Sequence, residues 1–99
     1  MDRKNILEQA IECVCKTRDQ QYGSPPKNFE LISCFWSDYI NAKYPDTDIL
    51  LCGDDVAVLM ALLKIARIAT GRYKEDSYID ACGYIACGAE IAGRDSDGR

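Results

Sequence analysis

The chain has no histidine among its 99 residues, and that absence removes much chemistry at once. No Ser-His or Cys-His pair can form, and no imidazole can shuttle a proton near neutral pH. There is no CxxC motif either. Cys13 and Cys15 are two apart and Cys82 and Cys87 five apart, spacings that diverge on a helix, so no metal site is expected. No run of like charges occurs, and 12 basic against 16 acidic side chains leave a net charge of −4. A general nucleic-acid binder carries a basic stripe, so that class is excluded as an expectation. No apolar run approaches the length of a membrane span, and no leader-like segment is evident. The six cysteines are therefore expected to be small buried hydrophobes in a reducing cytoplasm, not a disulfide framework.

What is present is helical patterning. Residues 2–18 carry Ile6, Leu7, Ala10, Ile11 and Val14 at spacings of three and four, with Asp2 as a plausible cap. Residues 19–26, DQQYGSPP, are the clearest punctuation: Gly23 permits a positive φ, Ser24 suits an N-cap and Pro25 a first helical position. The second helix shows Phe29, Ile32, Phe35, Trp36, Tyr39 and Ile40 as an aromatic-rich stripe, expected to be core, with Trp36 open between core and the floor of a pocket. Pro45 ends that helix, and residues 49–52 read as loop packed on the bundle. A third helix starts at Gly53-Asp54-Asp55 and runs to Thr70, where Gly71 fits a left-handed stop. A fourth, capped by Asp76 or Ser77, reaches Gly93 through Ala81, Gly83, Ala86, Gly88 and Ala89, small residues that let a neighbouring helix approach.

The expected fold is all-α, a compact four-helix domain over residues 1–93 with a flexible tail at 94–99. Residues 56–63 are apolar almost all the way round, so neighbours should cover that helix on most sides. A domain this small buries a modest fraction of its surface, and a second copy is expected to complete the core.

Two cations interrupt this apolar helix. Lys64 and Arg67 are three apart and share a face, while Asp76, Asp80 and Tyr84 follow at four-residue spacing on the next helix. One reading is a partly buried ion-pair network in which Asp80 and Asp76 satisfy the cations. The other adds the loop before helix two: Arg18, Tyr22, Gly23 and Asn28 would join Lys64, Arg67, Asp80 and Tyr84. Three cations, two phenols, an amide and loop N–H groups suit a small anionic nucleotide, since arginine forks hold phosphates and aromatic faces stack on bases. No cofactor and no catalytic residue are expected, because no nucleophile is activated and Asp80 lacks an opposed carboxylate.

The segments YGSPPKNF, WSDY, DDVAVLMALLKIAR and KEDSYIDACGY resemble, in order, the small phage and prophage proteins of the DUF6378 family, a domain of unknown function. The likeness runs from Arg18 to Glu90 and carries Arg18, Tyr22, Gly23, Asn28, Lys64, Arg67, Asp80 and Tyr84 over as matching its pattern. It implies a viral protein acting in the cytoplasm of a bacterial host. One concrete form of nucleotide binding there is a sponge for a nucleotide second messenger of antiviral immunity. A fainter likeness points to all-helical MazG- and dUTPase-type pyrophosphohydrolases, which implies a magnesium-dependent alternative. Their ExxE pair has no counterpart in helices two and three, however, and helix four offers Asp76, Asp80 and Glu90. A further alternative is an interaction protein that blocks a host defence complex.

Overall fold

The structure is a computed structural model, and it describes residues 1–17 and 25–97. Helix α1 spans Arg3–Glu12 and continues as a wider π-helical turn over Cys13–Thr17; α2 is Pro25–Lys43, α3 Gly53–Thr70 and α4 Glu75–Asp97. No strand occurs among the described residues. The all-α, four-helix expectation holds, and α4 continues helically to Asp97, beyond the expected end at Gly93.

Local chemistry explains the ends. Asp2 Oδ1 accepts the Asn5 N–H at 2.8 Å, occupying one of the free amides of the first turn. At the start of α3 the Cys52 N–H donates to Asp55 Oδ2 at 2.8 Å. Gly71 departs from expectation: its φ of −112° and ψ of −177° are extended, not left-handed. Glycine is needed there for space, because a Cβ would lie 2.9 Å from the Arg67 carbonyl oxygen, and the Gly71 N–H bonds that same oxygen at 2.9 Å.

Helix α4 is the spine. It packs most extensively along α3, and α1 lies against it, while α2 covers α3 from another side. The small residues of α4 make both approaches possible: a Cβ at Gly88 would stand 3.0 Å from the Ala57 Cβ, and one at Gly83 would stand 2.8 Å from Val14 Cγ1. Around these contacts a core forms from Phe29, Val56, Ala57, Ala61, Tyr84, Cys87 and Ile91. Trp36 packs against it, half-buried, together with Val14, Ile32 and Met60.

The connection from α2 to α3 is extended and is held by side chains of α2. Asn41 Nδ2 donates to the Ile49 carbonyl and Asn41 Oδ1 accepts the Ile49 N–H, both at 2.8 Å. Ser37 Oγ donates to the Ser33 carbonyl at 2.7 Å and accepts the Leu51 N–H at 2.8 Å. The segment needs no strand partner because side chains satisfy its backbone.

Three expectations about burial are corrected. Phe35 and Tyr39 are each 62% exposed, because α2 turns Phe29, Ser33 and Ser37 inward instead. Helix α3 is covered on one side, at Val56, Ala57 and Ala61, and its other side is open. No disulfide joins the described cysteines, but Cys13, Cys15, Cys34 and Cys52 are exposed, and Cys87 is buried. No described helix is long and apolar enough to cross a membrane.

Candidate functional site

Antiparallel packing of α3 on α4 brings the last turns of one beside the first turns of the other. Lys64 leaves the covered side of α3 and reaches Asp80 on α4, Nζ to Oδ2 3.0 Å, with the lysine side chain 15% exposed. Asp80 thus takes Lys64 as its ion-pair partner. Arg67, one turn further along, is exposed.

Between these helices and their turn lies an open cleft of about 580 Å³. Lys64, Arg67 and Thr70 line it from α3, Gly71, Arg72 and Lys74 from the turn, and Asp76, Ser77 and Asp80 from α4. Four cations face two carboxylates there, a local surplus of two positive charges on a chain whose net charge is −4. Among the described residues, Arg67, Arg72 and Lys74 form no ion pair. Part of the pattern answers the helix dipoles, with Arg67 in the last turn of α3 and Glu75 and Asp76 in the first turn of α4. The Thr70 hydroxyl donates to the Ala66 carbonyl at 2.8 Å, so its oxygen keeps acceptor capacity.

The structure sorts the expected site residues into three groups. Lys64, Arg67 and Asp80 come together at the cleft. Tyr84 and Asn28 do not line it: Tyr84 is buried, its ring 6.1 Å from that of Phe29, and Asn28 sits half-buried near the start of α2. The reason lies in α4. Asp76, Asp80 and Tyr84 follow one face, but that face passes under α1, where Cys13 and Val14 meet Ile79, Asp80, Gly83 and Tyr84 around a gap of about 20 Å³. Arg18, Tyr22 and Gly23 lie outside the described residues.

Thr70, Arg72, Lys74 and Ser77 join the cleft without having been singled out. For Arg72 and Lys74 the signal is the basic-acidic run RYKED between α3 and α4; Thr70 and Ser77 carry none. A separate polar cluster, Cys52, Asp54 and Asp55, holds its ligand atoms within 4.8 Å of one another. Asp55 is engaged there as the cap of α3.

Comparison with known proteins places this geometry in context. The family model described as "Domain of unknown function (DUF6378)" matches residues 5–92. The chain is 37% identical over 84 residues to the "Gene 55 protein" of Mycobacterium phage D29, covering 85% of this chain and 51% of that protein. It is 36% identical over 80 residues to the "Gene 55 protein" of Mycobacterium phage L5, covering 81% of this chain and 47% of that protein. The chain therefore spans about half the length of these curated relatives. No solved structure matches it.

Proposed function

We propose a function from one premise, that this chain belongs to the DUF6378 family and has phage proteins as relatives. Its α3–α4 cleft binds a small phosphorylated ligand of the nucleotide class. The observation that supports this reading is the set of cations without ion-pair partners among the described residues, Arg67, Arg72 and Lys74, around an open volume of about 580 Å³. Small-molecule sites usually measure roughly 300–1,000 Å³. Guanidinium forks match phosphate oxygens in pairs, and an ammonium adds a point charge. Lys64, held by Asp80, forms the inner wall. Asp76, Ser77 and Thr70 offer the polar contacts that a sugar or base edge uses.

Binding suits these residues better than turnover. The cleft lining contains neither histidine nor cysteine, and its two carboxylates stand on one helix, four residues apart, with Asp80 engaged by Lys64. In a phage protein, binding without turnover amounts to sequestration, and the ligand class that fits is a nucleotide signal of host defence.

Calorimetric titration with cyclic dinucleotides and ADP-ribose-type nucleotides tests the proposal. One of these should bind, and Arg67→Ala and Arg72→Ala should each weaken it about tenfold or more, since a charge-assisted hydrogen bond contributes roughly 1.5–3 kcal/mol. No heat with any of them, or an Arg67→Ala variant that binds as the wild type does, would remove the reading. Magnesium-dependent release of pyrophosphate from a nucleoside triphosphate would replace it with hydrolysis.

A further inference from the structure

The side of α3 that faces away from the core carries Val58, Leu59, Leu62, Leu63 and Ile65, each 41–52% exposed. Ala66 and Ala69 extend the same open side. From Val58 to Ala69 it bears no charge, since Lys64 and Arg67 project elsewhere: at 100° per residue they point about 160° and about 140° away from Leu62. An amphipathic helix of a finished globular domain turns this composition inward. Here the apolar stripe is on the outside.

The molecule as a whole is open to match. Its accessible surface is 7140 Å², whereas a compact monomer of 11.1 kDa exposes about 5,700 Å². Its radius of gyration is 14.8 Å, against about 13 Å for a compact chain of this length. A standard stable interface takes roughly 800 Å² from each partner, and a chain this open has surface to bury in one.

We propose that the open face of α3 is the interface of a homodimer, in which α3 packs antiparallel against α3 of a second copy about a two-fold axis near Leu62. In a two-fold interface the same patch meets itself, so a face free of charge avoids like-charge opposition. Antiparallel pairing about Leu62 sets Asp54 and Asp55 of each copy opposite Thr70 and Ala69 of the other, so the carboxylates do not face each other. Opposed helix dipoles favour the same direction.

Light scattering during size-exclusion chromatography at tens of micromolar tests the assignment. The wild type should show twice the 11.1 kDa chain mass. Leu62→Glu and Leu62→Lys should each run as monomers with helical circular dichroism, since like charges then face each other across the axis. An equimolar mixture of the two should recover the dimer, because glutamate now meets lysine. A monomeric wild type, single variants that stay dimeric, or a mixture that stays monomeric would each overturn it.

Discussion

Gly88 on α4 stands so close to Ala57 on α3 that a Cβ added to the glycine would lie 3.0 Å from the alanine's. Both residues are buried, and the contact sets how tightly the two long helices pack.

A contrasting pair of alanine substitutions checks it. At Gly93 nothing lies within 4 Å of an added Cβ, so Gly93→Ala should stabilise by about 0.5–1 kcal/mol through helix propensity alone. Gly88→Ala gains the same propensity but forces two helices apart, and overpacking costs roughly 1–3 kcal/mol. It should be net destabilising by about 1 kcal/mol. Urea unfolding of both variants at one protein concentration decides the matter, and equal stabilisation by both would contradict the close approach.

Lys64 and Asp80 offer a second test. Their pair is partly screened, since Asp80 is 35% exposed, so a double-mutant cycle with Lys64→Met and Asp80→Asn should give a coupling of about 1 kcal/mol. Arg67→Ala should change stability by less than about 0.5 kcal/mol, as an exposed side chain outside any ion pair does. A large loss on removing Arg67 would mean that it holds the fold together, and the cleft would lose its strongest candidate for an anion contact.

Thiol labelling tests the burial correction. Cys13, Cys15, Cys34 and Cys52 are exposed, Cys82 is intermediate and Cys87 is buried. Under a small alkylating reagent, mass spectrometry should show four fast modifications and a slower fifth. The sixth should appear only on unfolding, because access limits a thiol's reaction as its thiolate fraction does. Modification of Cys87 as fast as Cys34 would show that the core around Phe29 and Val56 opens readily.

Much of the architecture was legible in the residues because it rests on local rules. Asp2 caps α1 since a carboxylate bonds free amides wherever a helix begins there. Helix α3 ends at Thr70 because a glycine follows. The glycines and alanines of α4 foretold a close neighbour because backbone can approach only where Cβ atoms are few. Helical spacing alone set Lys64 and Arg67 on one face, but it did not choose between them as the partner of Asp80, which the structure gives to Lys64. Periodicity could not choose which side of an apolar helix faces inward. On α3 nearly every side chain of residues 56–63 would accept burial, and packing against α4 at Ala57 and Gly88 left Leu62 outside. The same holds for α2, where inward phasing at Phe29, Ser33 and Ser37 turned Phe35 and Tyr39 out, and for Tyr84, which shares a face with Asp80 yet is drawn into the core beside Phe29. Spacing along one helix is a property of the chain; which neighbour lies over each face is settled when whole helices dock, since burial depends on contacts between residues far apart in sequence.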